Sequence, residues 1–165
     1  MAGKQGKLRK RGSFEWKMIK AQGSIIALCQ CDMRRAPKKF IEWARFTRGE
    51  GMGHDASAAD PQEQVGIIAW HNVEKMLEQE GNFEFGQCGE NICVTSAELD
   101  KVKPGDFLWM GSVLMEVTKL GKLCPKPCAF ALAHPGPCLL AQAWIFARVL
   151  KGGQVSVDDS FLATG

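Results

Sequence analysis

The apolar residues of this chain fall into short, strand-length runs, each stopped by a turn signal. Ser24-Ile-Ile-Ala-Leu-Cys-Gln-Cys31 is bounded by Gly23 and by charged residues, and Gln64–Trp70, Ile92–Thr95, Phe107–Met110 and Val113–Lys119 repeat the pattern. Between them, Lys103-Pro-Gly-Asp106 has turn composition and Met110-Gly-Ser112 predicts a tight hairpin. Runs of this length between Gly and Pro form strands. One short helix is expected from Asn72, a fitting N-cap, with Val73, Met76 and Leu77 on one face and Gly81 past its end. Arg34–Arg48, interrupted by Pro37, fits a strand or a short helix. Trp144–Leu150, with Arg148 interposed, fits either as well, and Val155–Val157 reads as a last edge strand. The sum predicts a mainly β, barrel-like domain with one or two short helices, not a parallel α/β sheet.

At 165 residues the chain is long enough for one domain with a real core. It has no apolar run of about eighteen residues, so no membrane span is expected. No apolar stretch follows its basic first residues, so a secretory leader is not expected either. The seven cysteines are therefore expected in the reducing cytoplasm, free, catalytic or metal-bound rather than paired as disulfides. Much of the net charge of +3 sits in Lys4, Lys7, Arg9, Lys10 and Arg11. Residues 1–22 read as a basic arm, either solvated or directed at an anionic partner. Without the arm the chain is near neutral, so a nucleic-acid-binding body is not supported.

Three cysteines crowd into Cys124-Pro-Lys-Pro-Cys128 and His134-Pro-Gly-Pro-Cys138. Sulfur chemistry needs a thiolate, and the cations Lys122 and Lys126 flank Cys124. Pro125 and Pro127 stiffen the loop to Cys128, which suits it as a resolving thiol. The same atoms spell a zinc alternative, in which Cys124, Cys128, His134 and Cys138 form a Cys3His set. Burial of small apolar residues is the third reading. Cys29, Cys31, Cys88 and Cys93 lie in or beside expected strands and read as buried small apolar residues. Glu90 and Asn91 either brace a loop backbone or point into a site, and His54 and Asp55 read as loop hydrogen-bonding residues.

Taken together, several segments resemble one family in order and register. Gly86-Gln-Cys-Gly-Glu-Asn-Ile92 resembles the FGENI/L motif of MOSC domains, named for the C-terminal domain of molybdenum cofactor sulfurase. Pro104-Gly-Asp-Phe107 with Gly111-Ser-Val-Leu-Met-Glu-Val-Thr118, Gly121-Lys-Leu-Cys124 with Cys128, and Cys138 with Ile145-Phe-Ala-Arg-Val-Leu-Lys-Gly-Gly153 are similar to the segments that follow in small stand-alone members. Upstream, Gly51-Met-Gly-His-Asp-Ala56 and Gln64-Val-Gly-Ile-Ile68 are similar to GxxGDAHAG and RQVSLL. The resemblance covers about residues 23–162 and implies a MOSC-like β-barrel over that span.

The resemblance also implies a function in molybdenum cofactor or metal–sulfur assembly. Sulfur would be carried as a persulfide on Cys124, Cys128 or Cys138, or one of these thiols would ligate molybdenum. Asp55, Gln64, Glu90, Asn91 and Arg148 match positions that would serve the molybdenum cofactor. The implied partners are a cysteine desulfurase or other sulfur donor and a molybdoenzyme or cofactor-assembly protein, with sulfurtransferase-like turnover. The chain departs from the family at Ser57, where a His is usual, at Glu63, where an Arg is usual, and over Ala141-Gln-Ala-Trp144, in place of Pro-Arg-Glu-Gly. Lost His and Arg side chains weaken an anion pocket, and Glu63 is expected to repel an anion. The alternative is therefore a non-enzymatic domain, zinc-binding or degenerate, that binds a pterin or a protein partner.

Overall fold

The computed structural model describes residues 18–58, 60–77, 81–134 and 136–165, so residues 1–17 of the basic arm lie outside the described residues. The strands are β1 (Ile19–Gln30), β2 (Lys39–Ile41), β3 (Trp43–Thr47), β4 (Gly51–Met52), β5 (Val65–Ala69), β6 (Ile92–Val94), β7 (Phe107–Met110), β8 (Val113–Leu120), β9 (Ile145–Lys151), β10 (Gly153–Ser156) and β11 (Ser160–Thr164). The helices are α1 (Trp70–Leu77), α2 (Ala129–Ala133) and α3 (Leu139–Gln142), with a 3-10 turn at Ala97–Lys101. The chain is mainly β, as expected.

Strands β11, β7, β8, β9, β5, β6 and β1 hydrogen-bond in that order, and β11 returns to β1 to close a seven-stranded barrel. Closure leaves the barrel without a free edge. Strand β2 continues from β1 outside the ring, and β10, β3 and β4 form a small antiparallel sheet. The expected hairpin is present: Met110 pairs with Val113 across Gly111-Ser112, and Gly111 supplies the positive φ of +54°. Strands β5 and β6 pair in parallel, which requires a long crossover. That crossover carries α1 and the turn leading into Glu90 and Asn91.

Alternation along the strands sorts the side chains into two clusters. Ile67, Ile92, Val94, Val117, Ile145, Ala147 and Val149 face a cluster that fills the barrel. Their neighbours Ile68, Cys93 and Phe146 face outward into a second cluster with Val73, Phe130, Leu140 and Trp144. The helices thus cover one side of the barrel wall, and β5 is buried on both faces, which is why its sequence is an unbroken apolar run. Each fully buried Ile, Leu or Val contributes roughly 1.5–3 kcal/mol. Helix α1 starts at Trp70, ahead of the expected cap. Asn72 lies inside the helix, buried, and its amide donates to Asp100 Oδ1 at 3.4 Å. Trp144–Leu150 resolves to strand β9 from Ile145 onward.

Candidate functional site

The site lies against the outer wall of the barrel where β5, β9 and β8 run side by side. Gly66 pairs with Phe146, and Phe146 pairs with Lys119, so these three positions form one outward row. Gly66 is glycine for a steric reason. A Cβ there would sit 2.9 Å from Trp144 Nε1 and 3.0 Å from its ring. Trp144 is 2 % exposed and stands between two cavities.

The first cavity, about 390 Å³, gathers the cysteine loop. Cys88, Cys124, Cys128 and Cys138 all line it, with Lys122, Lys126 and Trp144. Cys124 is exposed, whereas Cys88, Cys128 and Cys138 are half-buried. The loop folds into two short helices, and Cys128 and Cys138 directly precede α2 and α3. Each therefore sits where its chain turns into the cavity wall. Cys88 is not a strand residue. It lies in the turn between Gly86 (φ +93°) and Gly89 (φ +88°), with its Sγ 3.6 Å from Cys128 Sγ. Burial, then the neighbouring Cys128, then Glu90 push the Cys88 thiol pKa up. The other three expected buried cysteines are buried: Cys29, Cys31 and Cys93. Burial, then Glu90 push Cys29 up to about 12 and raise Cys93 further. These two are inert packing groups.

The second cavity, about 410 Å³, is polar and is lined by Lys38, Lys119, Lys122, Ser57, Glu63, Gly66, Gly89, Asn91 and Trp144 among others. Lys122 belongs to both cavities. Its Nζ donates to the Cys88 carbonyl at 2.8 Å and lies 4.1 Å from the centre of the Trp144 ring. Among the described residues no carboxylate lies within ion-pair distance of it. Glu63, expected to repel an anion, pairs its carboxylate with Lys119 at 2.5 Å on the cavity rim.

Below the second cavity is a buried carboxylate. Asp55 Oδ2 accepts from Lys38 Nζ (3.1 Å), Ser57 Oγ (2.6 Å) and Asn91 Nδ2 (2.9 Å), and Oδ1 accepts from the Cys31 N–H (3.0 Å). Burial alone would raise the Asp55 pKa. The Lys38 ammonium and the hydrogen bonds from Ser57, Asn91 and Cys31 outweigh it and hold the carboxyl below its usual range. Asp55 therefore positions Lys38 and Asn91. Asn91 Oδ1 accepts from the Gly66 N–H of β5 at 3.0 Å, and Asn91 lines the cavity. Glu90 is wholly buried and accepts from the Gly86 N–H, bracing the Cys88 turn. Burial raises its pKa against the pull of the backbone N–H groups around it.

The structure separates the remaining expected residues from the cavities. Gln64 is buried, and its Oε1 accepts from the Val149 N–H at 2.9 Å, tying β5 to β9. Arg148 lies on the outer face of β9 and pairs with Glu116 at 2.7 Å. His134 is buried against the Phe130 ring, with Nδ1 2.7 Å from the Phe130 carbonyl, and its Nε2 faces Gly81. Among the described residues no three His, Cys, Asp or Glu side chains converge as a metal-ligand set. Two further residues belong to the site: Cys88, which the sequence suggests is a buried packing cysteine, and Lys38, which the sequence does not single out. Glycines on both sides of Cys88 were the available sign that it sits in a turn. Lys38 gave no local sign.

No family model matches the chain, and no curated protein matches it. Solved structures do. The YuaD protein from Bacillus subtilis is 16% identical, with a TM-score of 0.71 over 90% of this chain and 100% of that one. YiiM from Geobacillus stearothermophilus is 17% identical, with a TM-score of 0.59 over 87% of this chain and 73% of that one. YiiM from Escherichia coli is 18% identical, with a TM-score of 0.56 over 86% and 70%. These are MOSC-domain proteins, so the fold is MOSC-like. Among the described residues no helix is long and apolar enough to cross a membrane.

Proposed function

We propose that this chain is a sulfur-carrying MOSC-type domain serving molybdenum cofactor or metal–sulfur assembly. The observation that carries the reading is the shared wall: Lys122 and Trp144 line both the four-cysteine cavity and the lysine cavity. Sulfur held on a thiol would lie directly beside a place for an anionic acceptor.

Cys124, exposed at the mouth, is the thiol that a donor protein's persulfide reaches. Sulfur then moves inward by exchange. A Cys128 thiolate takes the outer sulfur of a Cys124 persulfide, Cys124 leaves as thiolate, and Cys128 holds the sulfur in the cavity. The exchange is electron-neutral and needs only the donor's sulfane sulfur. The donor class is a cysteine desulfurase or another persulfide protein.

The residues fit an anionic cofactor. Lys38, Lys119 and Lys122 line the second cavity. The buried Trp144 Nε1–H has no hydrogen-bond partner among the described residues and faces Gly66 on that cavity's wall. A molybdenum cofactor held there would supply a metal centre that accepts sulfur. Lys122, with Lys38 and Asn91, would hold its anionic part, and the thiols of the adjoining cavity would lie beside it.

Persulfide trapping after incubation with a cysteine desulfurase tests the reading. Cys128→Ser is expected to confine the trapped sulfur to Cys124. Cys124→Ser is expected to slow loading from the protein donor while leaving loading by a small polysulfide intact. Trapped sulfur mapping away from Cys124 in Cys128→Ser, or one equivalent of zinc in the purified protein by elemental analysis, would sink it.

A further inference from the structure

Among the described residues, Cys88 and Cys128 are the one pair of thiols within hydrogen-bonding distance, at 3.6 Å. The surrounding residues hold this pair in place. The Cys88 turn is braced by Glu90 through the Gly86 N–H and by Lys122 through the Cys88 carbonyl. A Cβ on Gly86 would fall 2.2 Å from the Lys38 carbonyl oxygen, so the turn is packed as well as bonded. Opposite it, Cys128 is fixed between Pro127 and helix α2. A disulfide requires an S–S distance of about 2.05 Å, and rotation of either side chain toward the other closes a gap of that size.

We propose that Cys88 is the resolving thiol of this site: it discharges sulfane sulfur held on Cys128 as hydrosulfide by closing a Cys88–Cys128 disulfide. The inference rests on the sulfur-carrier reading above and adds the fate of the sulfur. Cys88 Sγ attacks the Cys128 sulfur of the ionised persulfide. The Cys88–Cys128 bond forms, and the bond from Cys128 to the outer sulfur breaks. The outer sulfur leaves with that bond's electron pair and takes the Cys88 proton. The sulfane sulfur is thereby reduced to sulfide and the two cysteines are oxidised to the disulfide, so no outside oxidant is needed. A small thiol or a dithiol protein, as two-electron reductant, restores the pair.

Burial and the neighbouring Cys128 and Glu90 keep Cys88 protonated. That suits the role in two ways. A protonated, half-buried thiol is a poor general nucleophile, so it reacts only with a persulfide presented at contact distance. It also carries the proton that the departing sulfur needs. The product is a reduced sulfur released between the two cavities, next to Lys122, where an acceptor bound by the lysines takes it up.

The test uses the full chain, reduced and kept free of oxygen. A low-molecular-weight persulfide is added and then removed by desalting, and hydrosulfide and intact mass are followed. The wild type is expected to release one hydrosulfide per chain and to lose two hydrogens in mass, with peptide mapping joining Cys88 to Cys128. Cys88→Ser is expected to keep the sulfur as a stable adduct on Cys128 and to lose the release. Retained sulfur without a cross-link in the wild type, or a cross-link mapping to Cys124 or Cys138, overturns the inference while leaving the carrier reading standing. No sulfur uptake by either protein overturns both. Should Cys88→Ser fail to fold by circular dichroism, the peptide map of the wild type decides alone.

Discussion

Replacing Asp55 with asparagine is expected to cost the fold about 3–5 kcal/mol, the range for breaking a buried ion pair by removing one partner. The geometry supports a value in this range. The Lys38 and Asp55 side chains are 5% and 0% exposed, so water cannot take over the freed ammonium. One Asp55 oxygen also serves Lys38, Ser57 and Asn91 together, and an amide NH2 in that place faces three donors with a donor of its own. In urea, with a slope of ~2 kcal/mol/M, a loss of ~3 kcal/mol lowers the unfolding midpoint by ~1.5 M. The charge component has its own signature. The folded pKa of Asp55 is depressed. Its contribution is therefore complete above the unfolded value near 3.8 and disappears as pH falls through the lower folded value. Asp55→Asn removes that acid limb. A double-mutant cycle with Lys38→Met isolates the pair, and the two costs should fall short of additivity by ~1–3 kcal/mol. Additive costs, or a single-variant cost under ~1 kcal/mol, would refute the argument that charge holds the cavity floor.

Glu90 gives the opposite pH dependence. Its folded pKa is raised above 4.5, so its favourable state is full below that value and is lost as pH rises through the folded pKa. Thermal melts across this window are expected to show falling stability in the wild type and a flatter profile in Glu90→Gln; an unchanged slope contradicts the assignment. Gly66→Ala drives a Cβ into the rigid Trp144 ring and is expected to cost ~1–3 kcal/mol by overpacking. A urea midpoint equal to the wild type's would mean that the ring moves aside freely.

Which parts of the fold were legible follows from the range of the forces involved. Strands β5, β6, β7 and β8 are visible because burial and turn chemistry act locally. The sequence pattern ends in an edge strand at Val155–Val157, whereas the chain continues into β11, Ser160–Thr164, which closes the barrel against β1 and β7. Nothing in Ser-Phe-Leu-Ala-Thr announces closure, because closure depends on partners far along the chain. Asn72 illustrates the same limit. Its side chain answers to Asp100, across 28 residues, and not to the helix start. Cys88 was masked by its motif: it was grouped with strand cysteines, although the glycines beside it place it in a turn.

The charge of the cavity is the instructive case. Taken residue by residue, Ser57 and Glu63 in place of His and Arg remove positive charge from an anion site. In three dimensions Glu63 is answered by Lys119, 56 positions away, and Ser57 donates to Asp55 instead of facing a ligand. The positive charge is supplied by Lys38 and Lys122, and neither stands at a position that the departures concern. Lys38 is partly neutralised by Asp55, which leaves Lys122 as the cavity lysine with no carboxylate within ion-pair distance among the described residues. With Trp144, it also lines both the thiol cavity and the polar cavity. An ammonium at that junction draws an anion to the side of the thiols, so charge and sulfur act on one group. Lys122→Met is therefore expected to weaken binding of an anionic acceptor and to free the Cys88 carbonyl together. Lys119→Met, whose charge is already paired, is expected to do neither. Equal losses of sulfate or phosphate affinity in the two variants, measured by calorimetry, would contradict this assignment.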